Sequence, residues 1–220
     1  VKPSKLLFAL LAAIVLIHAA AASAGSIDMD DPRRVVGRED GVRVDAQLLQ
    51  DTVSPGSPIG VTYQVQNLGT VPVAIADRVT SATFDADSRT ITVAIGSEVP
   101  KDGRMPHVVT IAPGETKLFR TGATPALAAA TVRATMAAPR YVQVKVSILR
   151  DLAPFAQLIA QQPAAPHAAG VVLSDALFDR WFESNDTILL NTVPVRYSPR
   201  EGGNGRFAGA DHRDAGGSSF

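Results

Sequence analysis

The side chains with the widest chemical reach in this chain are its four histidines, His18, His107, His167 and His212. Structural zinc sites need imidazole or thiolate ligands a few residues apart, and no two of these histidines have that spacing. They read as scattered surface residues, so no metal ligand is expected. The chain has no cysteine, which excludes thiol catalysis, thiolate metal centres, the blue-copper ligand set and any disulfide framework. Gly-x-Ser-x-Gly, the strand-to-helix turn that exposes a nucleophilic serine, does not occur. Ser-x-x-Lys is missing as well. Gly202, Gly203 and Gly205 lie close to the C-terminal end with no strand–helix context that could cradle a phosphate. No catalytic residue, cofactor or metal site is therefore expected.

The remaining candidates have simpler readings. Asp85/Asp87 and Glu39/Asp40 are carboxylate pairs in turn-forming stretches, where turn chemistry explains them better than acid–base work. Asp28, Asp30 and Asp31 lack the glycine and distal glutamate of a calcium loop. Asn185-Asp186-Thr187 has the form of a glycosylation acceptor but sits where turn residues are expected between a helix and a strand. Phe220 lacks the alternating apolar strand of an outer-membrane barrel. The one concentration of aromatic residues is Phe178, Trp181 and Phe182, at helical spacings of three and four. It is either a face that covers one side of the core or an exposed patch that docks a partner, and the solvent exposure of Trp181 separates the two.

These residues need a scaffold, and its first clue is the compartment. Lys2 and Lys5 precede an apolar run from Leu6 to Ile17, and Ala22-Ser23-Ala24 follows with small residues. That is the pattern of a secretory signal peptide over residues 1–24. The competing reading is an uncleaved anchor, but the run is shorter than the ~20 residues a spanning helix needs. The expectation is an exported, periplasmic or extracellular protein with no stable membrane span after cleavage. Acidic and basic residues balance at 21 each, so the basic footprint of a nucleic-acid binder is missing.

Residues 25–41 are charged and read as a flexible lead-in. From Val42 the chain alternates with period two: Val42 to Leu48, Ile59 to Val65, Thr90 to Ile95 and Tyr141 to Leu149 each place aliphatic side chains on one face. Val71 to Ile75, Thr83-Phe84, Val108 to Ile111, Thr116 to Arg120 and Ile188 to Tyr197 are further strand candidates, and Asp85 to Ser88 joins two of them as a hairpin. Helices are expected over Thr124 to Ala138, Leu152 to Gln162 and from a Ser174 cap to Glu183. Gln161 to Gly170 reads as a Pro/Ala linker, and the Gly/Ser-rich tail 198–220 as disordered. Many short alternating strands with Pro/Gly turns predict a mainly β fold: an antiparallel β-sandwich with two or three short helices over residues 42–197.

The stretch Ser54-Pro55-Gly56, with Val61-Thr62-Tyr63-Gln64-Val65-Gln66-Asn67-Leu68-Gly69-Thr70-Val71-Pro72-Val73 after it, resembles the opening of many bacterial immunoglobulin-like domains. Ile111-Ala112-Pro113-Gly114-Glu115 resembles their later Pro-Gly turn. The resemblance covers about a third of the chain after residue 24. It implies an immunoglobulin-like sandwich and carries no catalytic site. Pilus chaperones pair two such sandwiches, and the strands here suffice for one. The functional expectation is a non-catalytic binding module whose partner is another protein of the cell envelope. Two alternatives stay open: a protease-inhibitor-like module presenting the loop Gly96–Pro106, and an enzyme whose site is assembled from distant segments.

Overall fold

Ile59, Val61, Tyr63, Val65 and Asn67 are buried while the residues between them are partly exposed. This is the signature of a strand with one face on a core. A computed structural model describes residues 27–127, 137–162 and 170–199. Its strands are β1 (Arg34–Glu39), β2 (Val42–Leu48), β3 (Thr52–Val53), β4 (Ile59–Asn67), β5 (Val73–Ile75), β6 (Thr80–Asp85), β7 (Thr90–Ile95), β8 (Val109–Ile111), β9 (Thr116–Ala123), β10 (Tyr141–Leu149), β11 (Asn185–Pro194) and β12 (Arg196–Tyr197). Two short helices follow β10: α1 (Ala156–Ala160), entered through a 3-10 turn at Ala153–Phe155, and α2 (Asp175–Glu183).

The strands form two facing layers. One is antiparallel, in the order β1-β2-β4-β9. The other runs β6-β7-β10-β5-β8, with β11 also paired to β10. Between them lies an aliphatic core in which Val44, Leu48, Val61, Val65, Ile91, Val93, Ile95, Val144, Val146 and Ile148 are almost fully buried. A two-stranded parallel ribbon, β3 with β12, lies beside the layers.

The layers meet at both lateral edges. At one, β1 approaches β11 so closely that a Cβ on Gly37 would lie 2.8 Å from Ile188 Cγ2 and 3.0 Å from the Leu189 carbonyl oxygen. At the other, the Thr80 hydroxyl donates to the Gly122 carbonyl, joining β6 to β9.

Leu149 pairs with Ala74. Both project to the face of the six-stranded sheet opposite the main core, because side chains alternate along a strand. There they join Met105, Val108, Phe155, Leu173 and Trp181 in a second buried cluster. This cluster seats α2 on the sheet. Ser174 caps α2, its hydroxyl accepting from the Leu177 amide.

Three expectations are corrected. Arg34–Glu39, inside the stretch read as a flexible lead-in, is a strand paired with β2 over its full length. The sandwich is not wholly antiparallel: β7 and β10 pair in parallel from Thr90↔Tyr141 to Ile95↔Val146. A long crossover separates these strands, so no hairpin dictates their direction. Within the helix expected over Thr124 to Ala138, residues Thr124 to Leu127, Ala137 and Ala138 are non-helical and the rest lies outside the described residues. Outside them also lie the segment read as a signal peptide with His18, most of the Pro/Ala linker with His167, and the tail from residue 200 with His212 and Phe220. Among the described residues no helix is long and apolar enough to cross a membrane.

Candidate functional site

β5 and β8 run antiparallel with Val73 opposite Ile111 and Ile75 opposite Val109. Beyond this pairing, Asp77 lies in the Ala76–Val79 turn that follows β5, closed by the Val79 amide donating to the Ala76 carbonyl, and His107 in the segment leading into β8. The His107 Nδ1 and Asp77 Oδ1 atoms are 3.9 Å apart, beyond hydrogen-bonding distance. Across the core, Tyr63 of β4 stacks on Phe119 of β9 with ring centroids 5.1 Å apart. Burial, and then the negative charge of Asp77, hold the Tyr63 phenol well above its ordinary pKa. Tyr63 Oη, Asp77 Oδ1 and His107 Nδ1 are all buried and find no hydrogen-bond partner among the described residues.

The backbone around His107 is fixed from the other side. Gln162 accepts from the Val108 amide at 3.2 Å and donates to the Pro106 carbonyl at 3.3 Å. The ring keeps an outer edge open, since the side chain is 34% exposed. His107 is thus no scattered surface histidine. Sequence spacing missed it because its partner Asp77 comes from a turn about 30 residues away. Among the described residues no three His, Asp or Glu side chains gather where they could hold a metal ion.

A second feature occupies the end of the sandwich where three connections converge. Arg150, just after β10, donates to the Asp40 and Glu39 carbonyls and to the Asp186 carboxylate. Asn67, fully buried, donates to the Val71 and Ile111 carbonyls and accepts from the Gly69 amide. The Asn67 bonds hold the β4–β5 turn against the end of β8, and the Arg150 bonds hold the chain after β10 against the β1–β2 turn and β11. Between them lies a concavity of about 570 Å3 lined by Val71, Pro72, Arg150, Asp151, Leu152, Ala153 and Ala156. Val71 and the neighbouring Leu68 are exposed.

The aromatic trio is divided by the fold. Trp181 is 1% exposed. Its indole meets Phe155 edge-on at 5.5 Å and donates to the Ser97 carbonyl at 3.0 Å. Phe178 is half-buried against the same cluster, and Phe182 is 63% exposed. Successive helical residues are rotated by about 100°, so Phe182 turns away from the face that Trp181 buries. Of the two readings of the trio, the burial of Trp181 fits the one in which this helix face covers the core, with Phe182 left exposed beside it.

The loop Gly96–Pro106 is tied down. Ser97 anchors it to Trp181. Glu98 accepts from Lys145 and Thr187, and those hydrogen bonds hold its carboxyl below the usual range. The Met105 amide donates to the Val171 carbonyl, leaving Val99, Lys101 and Asp102 exposed.

The other carboxylates have structural duties. Asp85 accepts from the Asp87 amide and the Ser88 hydroxyl within the hairpin turn. Asp28 accepts from the Asp30 amide, and Asp31 binds Arg33. Asn185, Asp186 and Thr187 open β11 rather than forming a turn, and their side chains bind the Trp181 carbonyl, Arg150 and Glu98. Comparison with known proteins finds no family model, curated protein or solved structure that matches this chain.

Proposed function

We propose that this chain is an exported immunoglobulin-like sandwich that acts by binding another protein of the cell envelope. The charged, apolar and small-residue segments of the N-terminal stretch support export. The two facing layers support the sandwich, and the Pro-Gly turns flanking its strands support the immunoglobulin-like assignment.

The observation that carries the binding role is the concavity at the convergent end. Sandwich folds use the connections grouped at one end for recognition. Here the lining sets the apolar side chains of Val71, Pro72 and Leu152 beside the charged Arg150 and Asp151. That composition suits an apolar side chain of a partner protein, inserted among polar contacts.

The test is recovery of a partner from the envelope fraction with wild-type protein and with Val71→Asp. Near-stoichiometric capture by wild type and loss of it with Val71→Asp supports the reading. No near-stoichiometric partner, or capture that Val71→Asp leaves intact, opposes it.

A protease-inhibitor-like role is the second reading. It is favoured by the loop Gly96–Pro106, which is anchored at Ser97 and Met105 and exposes its tip. Inhibition of an extracellular protease, lost on substitution of Val99, distinguishes it from docking at Val71.

A further inference from the structure

We propose that a hollow on the outer face of the six-stranded sheet binds one neutral sugar ring, free or at the end of a glycan. Its volume is about 310 Å3. Small-molecule sites span about 300–1,000 Å3, so this one suits a single ring and not a longer chain. Its lining shares no residue with the concavity at Val71.

Small residues in β7 and just after it make the hollow. Val144 and Val146 of β10 point into the core, so Lys145 and Ser147 point outward. Lys145 stands beside Ala94 of β7, and Ala94 beside Ser81 of β6. Partners across a sheet share a face, so the short Ala94 side chain lies between two longer ones. Two residues on, Gly96 has no side chain at all. Its φ is +88°, and a Cβ there would lie 2.6 Å from the Ser147 carbonyl oxygen. Ser97, Glu98 and Val99 of the following loop complete the lining on this side.

The polar groups match hydroxyls in both directions. Lys145 Nζ donates to Glu98 Oε1 at 2.9 Å, and Thr187 Oγ1 donates to the same oxygen at 2.6 Å. An ammonium has three donors, so Lys145 keeps donors for a ligand, and Glu98 keeps Oε2 as an acceptor. Both side chains reach solvent, 28% and 43% exposed. The lining also holds the exposed Ser81 and Thr83, whose hydroxyls can donate or accept. Sugar hydroxyls do both as well. The charges select a neutral ligand. Lys145 and Glu98 are the two charged side chains of the lining, and they neutralise each other. An anion would meet the carboxylate and a cation the ammonium, and either would have to break the pair. Val79, Ala94 and Val99 add apolar carbon, against which the C–H face of a ring can rest.

The test titrates the full chain, labelled with 15N, with neutral hexoses and N-acetylhexosamines, with short oligosaccharides ending in them, and with glucuronate and glucosamine as charged counterparts. The expected result is saturable shifts from at least one neutral sugar, concentrated on the amides of Ser81, Ala94, Gly96 and Lys145. Tighter binding of the oligosaccharide assigns the ring to a glycan end, and equal or weaker binding to a free sugar. Ala94→Leu fills the hollow from an outward-facing strand position and weakens binding by at least about tenfold. Lys145→Met removes a charge-assisted hydrogen bond and weakens it by about tenfold. Circular dichroism confirms that both variants stay folded. Lack of saturable shifts with every neutral sugar overturns the proposal. So does binding that the folded Ala94→Leu variant leaves unchanged, because the sugar then sits elsewhere. Charged sugars that bind as tightly as their neutral counterparts overturn it too.

Discussion

Replacing Phe155 with Ala tests how α2 is held to the sheet. Phe155 is fully buried and meets Trp181 edge-on with centroids 5.5 Å apart. Truncating a buried phenylalanine costs about 3–5 kcal/mol through lost transfer energy and the cavity left behind. The aromatic pair contributes about 0.5–1.5 kcal/mol of that total. A domain of ordinary stability has only about 5–15 kcal/mol, so Phe155→Ala removes a large share of it. Urea unfolding followed by circular dichroism should show the midpoint falling by about 2 M for a slope of about 2 kcal/mol per molar. Trp181 is the chain's one tryptophan, so its emission reports the same site without a label. The loosened pocket should shift that emission to longer wavelength under native conditions, while Phe155→Leu, which keeps an apolar side chain, should do less of both. A loss below about 1 kcal/mol together with unchanged emission would refute the second core, since neither the cavity cost nor the aromatic contact would then exist.

Asn67→Ala should cost about 2–3 kcal/mol in the same unfolding assay, because it strips partners from the Val71 and Ile111 carbonyls and the Gly69 amide. Gly37→Ala should cost about 1–3 kcal/mol, since its Cβ would press on the Leu189 backbone oxygen at 3.0 Å, an atom that cannot swing aside. Stability should also fall with acid. Burial alone would raise the Asp45 carboxyl, but hydrogen bonds and charge from Arg43 and Arg34 outweigh it and hold the pKa low. A carboxylate lowered in the folded state contributes stability above its unfolded value, about 3.9, and loses it as pH drops through the folded one. Asp45→Asn should therefore be less stable than wild type at pH 7 and show a shallower decline below about pH 4, read from thermal melts across that range.

The legible part of the fold is the part written in local periodicity. β4 and β7 alternate cleanly because each has one face on the core and the other partly in solvent, and β10 does the same from Tyr141 to Val146, before both of its faces become buried. The Ser174 cap marks the start of α2 through a bond made within one helical turn. The Asn67 turn that resembles immunoglobulin-like domains is likewise local, and the buried amide explains why an asparagine stands there. What escaped is non-local. Arg34–Glu39 is charged and contains Gly37, and the reason for that glycine, the approach of β11, lies about 150 residues away in sequence. The direction of β7 against β10 depends on a crossover that no alternation records. The approach of Asp77 to His107 is non-local as well, since a turn after β5 and the segment before β8 meet only in the folded chain. Trp181 and Phe182 have equally apolar signatures in sequence, and the seating of α2 alone decides which one is core.

Interstrand proton contacts measured by NMR test the two-layer arrangement most directly at the pairing of β7 with β10. The fold requires contacts in parallel register, with Ile91 beside Val142 and Val93 beside Val144. It also requires β11 on the other side of β10, with Val146 opposite Ile188. Antiparallel contacts between β7 and β10, or none between them, would contradict it.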